Sequence, residues 1–374
     1  MKLLHMADLH LGKTVNEMNL IEDQRMLLEK VVSLVKKNKI QGILLAGDIY
    51  DRSIPTKDAV VLFDDFLNEI TRMGIKVYAV AGNHDSGERV SFGGEILAKQ
   101  GVYIEGILKG EITTIEVGEG VVIHLLPFFK PAHVRALYPE EKIETFEDGM
   151  KAVLAHHSVD QKKKNILVTH QFVTGTNPVE QSDSEQILSI GGTDAISYKV
   201  FEAYDYVALG HIHGPQRVGR DTVRYSGSLM KYSFSEEFHH KSVTILDIDD
   251  KIEIQTIEMK ARRDMRCIKG RLKDLIQKEI VESANAEDYL KVTLTDREEL
   301  LDPIGSLRSY YPNIMELSLE KNQRGKQGEL SVSKIKEKTP MELFDDFFMV
   351  TTGEIEEQRH NYMKEMLGEE VEKS

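Results

Sequence analysis

Residues 42–51 read GILLAGDIYD: five uncharged residues, then Gly47-Asp48, then a second carboxylate at Asp51. A run that is apolar at every position predicts a strand covered on both faces, as in a sheet held between two layers. The abrupt change at Gly47-Asp48 marks its carboxyl end, the edge at which such sheets bind ligands. Four other runs end in the same way. KLLHMA (2–7) leads to Asp8-Leu9-His10, IKVYAVA (75–81) to Gly82-Asn83-His84-Asp85, NILV (165–168) to Thr169-His170, and DYVAL (205–209) to Gly210-His211-Ile212-His213.

Between these runs lie helical patterns near 19–38 and 56–73. Further apolar runs follow at 121–126, 242–248 and 252–259, the last two joined at Asp249-Asp250 as a hairpin. Alternating strand and helix patterns predict an α/β sandwich with helices outside two packed sheets. Residues 174–195 are rich in Gly, Ser, Thr and Asp between two ligand motifs, which reads as a substrate loop. A compact second unit is expected over 261–320, with strands near 263–268, 289–295 and 313–319 and helices near 271–285 and 303–311. The segment 321–338 holds six Lys/Arg against two Glu and reads as a basic linker. Two helices, near 340–350 and 354–367, close the chain.

With 374 residues, 41% of them hydrophobic, the chain can bury a large core and form two or more domains. Its one cysteine, Cys267, excludes an intrachain disulfide and suits a reducing compartment. No apolar run approaches the roughly 20 residues of a membrane helix, and MKLLHMADLHLG reads as a buried first strand rather than a signal peptide. A cytoplasmic protein is expected. The formal net charge of −14 argues at first against nucleic-acid binding. However, residues 341–374 carry ten acidic and three basic side chains, and bound divalent ions would reverse the local field. There is no G-x-x-x-x-G-K-[ST], so the chain has no P-loop for ATP.

Asp8, His10, Asp48, Asn83, His170, His211 and His213 combine imidazoles with oxygen donors, a set that suits a pair of divalent transition ions. A two-metal phosphoester hydrolase site is the reading. Asp48, ending a central strand between the other motifs, is the candidate bridge. In His211-Ile212-His213 an extended backbone aims two imidazoles one way and Ile212 the other.

Taken in order, D-x-H, G-D-x-x-D, G-N-H-D, a lone His and G-H-x-H resemble the calcineurin-type metallophosphoesterases. The stretches IGGTDAIS (190–197) and RYSGSLMKYSFSE (224–236) narrow the resemblance to the SbcD nuclease family. It is dense from residue 1 to about 245 and weak after about 260. The resemblance implies Asp8, His10, Asp48 and His213 on one ion and Asp48, Asn83, His170 and His211 on the other, with Mn²⁺ preferred over Mg²⁺. It makes His84 the general acid or phosphate-orienting group, with Asp51 placed to orient its imidazole. Relatives from archaea and eukaryotes carry His at the Asp51 position, so that residue's role does not carry over. It further implies nuclease action on DNA ends, hairpins and single strands, a homodimer through nuclease-domain helices, and a coiled-coil ABC ATPase partner of the SbcC type. A phosphodiesterase for small substrates and a metal-free scaffold are the alternatives. The loop and second unit favour a polymer substrate, and seven intact ligand positions oppose the scaffold.

Arg52, Ser226 and Ser228 are expected to contact phosphate or DNA, with a surface salt bridge the other reading of Arg52. Aromatics of 225–236 could stack on bases, core packing being favoured for Phe234. His5 and His124 are expected in strands, His156-His157 and His239-His240 on exposed segments, none as ligands. Cys267 reads as a buried small hydrophobe. Thr339-Pro340-Met341-Glu342 forms a capping box with Pro at the first helical position. Met341, Phe344, Phe347 and Phe348 make one apolar stripe; Ile355 and Tyr362 belong to a second, and both are expected to dock on the ATPase partner.

Overall fold

The computed structural model describes residues 1–118, 120–185 and 194–320, together with Met341, Phe344, Asp345 and Met363. Two six-stranded sheets face each other. The first runs Ile252–Glu258, Ser242–Ile248, Lys2–Met6, Gly42–Ala46, Lys76–Val80, Val102–Glu105. Its last four strands are parallel and its first two are joined antiparallel. The second runs Gln216–Val218, Arg220–Tyr225, Tyr206–Gly210, Lys164–His170, Val121–Leu126, Thr113–Gly118, parallel through its middle and antiparallel at both edges.

Continuous apolar runs are required because both faces of each sheet are covered. In Gly42–Ala46, Leu44 and Ala46 point inward and meet Leu3, Tyr78, Val80, Ile123, Ile166, Val168 and Ala208 between the sheets. Ile43 and Leu45 point outward, against helices Ile21–Asn38 and Lys57–Arg72 through Leu27, Val31, Leu62 and Phe66. The outer face of the second sheet is covered by Pro131–Leu137 and Phe146–Ala155. The α/β sandwich with outer helices is therefore borne out, as is the hairpin at Asp249-Asp250.

A separate parallel sheet of Met265–Gly270, Tyr289–Leu294 and Ile314–Leu319 carries its own apolar cluster, including Leu290, Val292, Leu307 and Tyr311. Tyr289 and Arg263 bind the buried Asp23 carboxylate of the first long helix at 2.6 and 2.8 Å. The helix expected over 271–285 is instead two single turns, Leu272–Leu275 and Lys278–Val281. Cys267 is exposed, because Met265–Gly270 alternates and places Cys267 on its outward face. No described helix is long and apolar enough to cross a membrane. The linker 321–338 and the candidate docking residues Phe347, Phe348, Ile355 and Tyr362 lie outside the described residues. Met341 and Phe344 are half-buried and helical.

Candidate functional site

The five motifs emerge from the carboxyl ends of five parallel strands, three in one sheet and two in the other, and meet between them. Backbone strain marks the place. Asp8, His10, Asp48 and His211 all have left-handed φ, at 54°, 42°, 50° and 100°. Such angles are uncommon for residues other than glycine and persist where the surroundings impose them, often at functional sites. The strand ends also come very close. A Cβ on Gly210 would lie 1.8 Å from the Ala46 carbonyl oxygen, and one on Gly82 would lie 2.1 Å from Asp48 Oδ1. Only glycine permits these approaches.

All seven candidate ligands converge. Asp48 Oδ2 lies 3.5 Å from His10 Nε2 and 3.3 Å from His170 Nε2, between the two halves of the site. On one side, His10 Nε2 is 3.0 Å from His213 Nε2. Ligand atoms of Asp8, His10 and His213 lie within 4.8 Å of one another. On the other side, Asn83 Oδ1 is 3.0 Å from both His170 Nε2 and His211 Nδ1. Asp8 Oδ1 accepts the His211 backbone N–H at 2.9 Å, whereas Asp8 Oδ2 and His10 Nδ1 are buried without a hydrogen-bond partner among the described residues. An unpaired buried carboxylate oxygen is costly, and a cation would satisfy it. The donor set fits divalent transition ions.

The electrostatics agree. Burial pushes the Asp8 carboxyl well above the usual range, and the neighbouring Asp48 adds to it. Burial opposes the Asp48 charge too, but His170, His10 and His84 hold its carboxyl well below that range. Burial lowers His211 and His213 to about 3, leaving them neutral and ready to donate a lone pair.

His84 is half-buried beside this cluster, its ring edge-on to His10 with centroids 4.8 Å apart. One of its ring nitrogens falls within 4.8 Å of ligand atoms of His10 and Asp48. Its Nδ1 lies 3.0 Å from the Asp51 carbonyl oxygen. Asp51 thus meets His84 through its main chain, not through the carboxylate expected to orient it. That carboxylate accepts from Lys13 Nζ at 2.7 Å and sits 3.6 Å from His10 Nδ1. Arg52 is exposed, its Nε 3.7 Å from Asp51.

Ser226 and Ser228 follow the strand Arg220–Tyr225, and the Ser228 backbone N–H donates to the His213 carbonyl at 3.2 Å. Both are fully buried. Ser226 donates to Gly227 O, while Ser228 donates to Met230 O and accepts from Lys241 Nζ. Both hydroxyls are bonded within the chain itself rather than presented to solvent. Tyr225 and Tyr232 are buried, and Phe234 is half-buried and packs against the core. His5 is buried against Tyr206 and the Leu209 carbonyl. His124 bonds Asn165, and His157, half-buried rather than exposed, lies 2.9 Å from it. His239 is also half-buried, 3.9 Å from Glu236.

Sequence reasoning missed the groups that hold the ligands. Gln24 donates to the Leu9 and His10 carbonyls and accepts from Gly12 N, clamping the first motif. Its signal was a polar residue inside an apolar helical stripe, between Ile21 and Leu27-Leu28. Asp85 accepts from the backbone N–H groups of Ile49, Tyr50 and Gly82, tying the third motif to the second. Glu236, Lys241 and Ser184 surround His213, and nothing local announced them.

Comparison with known proteins gives this geometry its context. Residues 1–215 match the calcineurin-like phosphoesterase family, and residues 261–352 match SbcD_C, described as a type 5 capsule protein repressor C-terminal domain. A Staphylococcus epidermidis protein, named as the SbcD component of nuclease SbcCD, is 33% identical over 323 residues, covering 85% of each chain. Its namesake from Staphylococcus saprophyticus is 33% identical over 361 residues, covering 95% of this chain and 94% of that one. A dimetal phosphatase structure from Danio rerio covers 70% of this chain and 99% of its own at 13% identity and TM-score 0.41, too loose a likeness to argue from. With the metallophosphoesterase family spanning all five ligand motifs and the nuclease relatives spanning nearly the whole chain, this protein belongs to the calcineurin-like phosphoesterases and, within them, to the SbcD family of metal-dependent nucleases.

Proposed function

We propose that the chain is a two-metal DNA nuclease, an exonuclease on double-stranded ends and an endonuclease on single strands and hairpins. It would work in the cytoplasm at the nucleoid with an SbcC-type coiled-coil ABC ATPase, in DNA repair, recombination and replication. The observation that carries the reading is Asp48 Oδ2 between His10 and His170, the position of a bridging ligand. Asp8, His10, Asp48 and His213 would hold one ion and Asp48, Asn83, His170 and His211 the other. Four imidazoles favour Mn²⁺ over Mg²⁺, which prefers an all-oxygen shell with several waters. When bound, such a pair supplies an activated water and charge neutralisation at the scissile phosphate.

The chain's own residues would do the rest. His84, half-exposed and not needed in either ligand set, would give a proton to the leaving 3′-oxygen. Its Nδ1–H donates to the Asp51 carbonyl, which fixes the ring and leaves Nε2 to carry that proton. Asp51 holds Lys13 beside His10, and Arg52 is an exposed candidate for phosphate contact. We assign residues 1–260 to the nuclease domain, 261–320 to a capping domain, 321–338 to a basic linker and 339–374 to helices that dock on the ATPase. Homodimerisation through the nuclease domain belongs to the same proposal, drawn from the family resemblance.

The test is incubation of the isolated chain and Mn²⁺ with linear double-stranded DNA, a single-stranded circle and bis-p-nitrophenyl phosphate, with and without the ATPase partner and ATP. DNA degradation that requires Mn²⁺ is expected, and control by ATP only with the partner. Turnover confined to the small ester would reassign the protein to small substrates.

A further inference from the structure

His213 is held on the side away from His10 by a buried polar cluster. Its Nδ1 is 2.6 Å from Ser184 Oγ and 3.4 Å from Glu236 Oε1. Ser184 Oγ in turn donates to Glu236 Oε1, as does Ser182 Oγ at 3.1 Å. Glu236 is fully buried, and its other oxygen accepts from Lys241 Nζ at 2.5 Å. Lys241, also buried, donates to the His213 carbonyl oxygen at 2.8 Å and to Ser228 Oγ at 2.9 Å. The His213 backbone N–H donates to Glu185 Oε1 at 2.8 Å. One histidine is thus served by four polar side chains drawn from two segments, 182–185 and 228–241.

A neutral imidazole has one N–H and one lone pair, and the partner of one nitrogen decides the state of the other. We infer that Glu236 and Ser184 are positioning residues for His213: they accept its Nδ1–H, directly and through the hydroxyl, so that the Nε2 lone pair faces His10 and Asp8. Carboxylates behind metal-bound histidines act in this way, and removing one costs about 10–100-fold in metal affinity. A buried ion pair is a poor way to gain stability alone. Glu236–Lys241 lies where a fixed acceptor serves the site. The inference also ties the segment after His170 to metal retention, since Ser184 belongs to it.

This rests on His213 being a ligand, so His213→Ala is the control. Mn²⁺ titrations of the metal-stripped full chain, followed by electron paramagnetic resonance, would compare two double variants with the parent. Glu236→Leu/Lys241→Met replaces the ion pair with apolar groups and removes the acceptor. Glu236→Gln/Lys241→Met also removes both charges but keeps an amide oxygen for Ser184 and His213. The first is expected to lose about 10–100-fold in affinity for one of two ions, and the second to stay within about threefold of the parent. Thermal unfolding would confirm that both fold. Parent-like affinity in the folded Leu/Met variant overturns the inference, and so does equal loss in both variants, which would mark a purely structural pair. If either fails to fold, Ser184→Ala carries the test: a several-fold loss at one ion is expected, and unchanged binding at both ions overturns it. Unchanged binding in His213→Ala would instead overturn the ligand reading itself.

Discussion

His10 Nε2 and His213 Nε2 face each other at 3.0 Å, from positions 203 residues apart. Both rings are buried, and burial lowers the basicity of each, so two neutral imidazoles present nitrogens to one another. Two lone pairs at that distance repel, and at most one proton fits between them. A cation reverses the sign of the interaction for both rings and for the Asp8 oxygen beside them, which has no hydrogen-bond partner among the described residues. The geometry is suited to metal coordination rather than to a hydrogen-bonded core.

His84→Ala should keep both ions and DNA affinity while slowing cleavage by about 10²–10⁴-fold, the usual cost of losing a general acid. Metal content, DNA binding and nuclease rate measured on one preparation separate the roles. Loss of an ion along with activity would move His84 into the ligand set, a placement its distance to His10 and Asp48 permits.

The metal-free site should hold a proton that the ions displace. Burial alone would lower His170, but the Asp48 carboxylate at 3.3 Å, aided by Asp8, pushes it up to about 9. Because its folded value lies above the ordinary 6.5, the His170 charge stabilises the metal-free fold fully below about pH 6.5. That contribution is lost as pH rises through about 9. Calorimetry of Mn²⁺ binding in buffers of different ionisation enthalpy should show proton release at about pH 7–8 that fades above about pH 9. Release that is flat across this window contradicts the coupling.

Gly210→Ala should destabilise the fold by about 1–3 kcal/mol or more, because the added methyl meets the Ala46 carbonyl at 1.8 Å and His170 Nδ1 at 2.7 Å. Gly94→Ala, where no described atom lies within 4 Å, should change stability by less than about 0.5 kcal/mol. Chemical denaturation of both variants and the parent checks the contrast. Equal stability of the two variants would mean that the strand ends are not held as close as described.

Truncation after Lys338 should leave Mn²⁺-dependent cleavage of single-stranded DNA intact and abolish co-purification with the ATPase, if the stripes containing Met341, Phe344, Phe347, Phe348, Ile355 and Tyr362 dock on that partner. A truncated chain that binds the ATPase at full affinity would refute that assignment.

The strands that carry the ligands were legible because each is covered on both faces and each ends in an abrupt polar motif. Gly42–Ala46 and Tyr206–Gly210 show this directly, and the convergence of their motifs followed from sheet topology. What could not be read locally was the supporting shell. Gln24 reaches Tyr232 across 208 positions, and Glu236 serves a histidine through a loop from another part of the chain. The burial of Ser226 and Ser228 was not legible for a related reason: a Ser-Gly-Ser segment looks exposed until the buried Lys241 and the Met230 carbonyl claim Ser228. Cys267 was misjudged because burial in a small edge strand depends on which face meets the core, and two or three alternations do not specify that face.

In the proposed site, Asp48 is the residue on which both ions would depend. Elemental analysis and Mn²⁺ titration of the parent should find two ions per chain, and Asp48→Ala, its fold checked by circular dichroism, should retain neither, because the carboxylate between His10 and His170 is lost to both. Two tightly held ions in the folded variant would contradict the bridged site and the two-metal nuclease built on it.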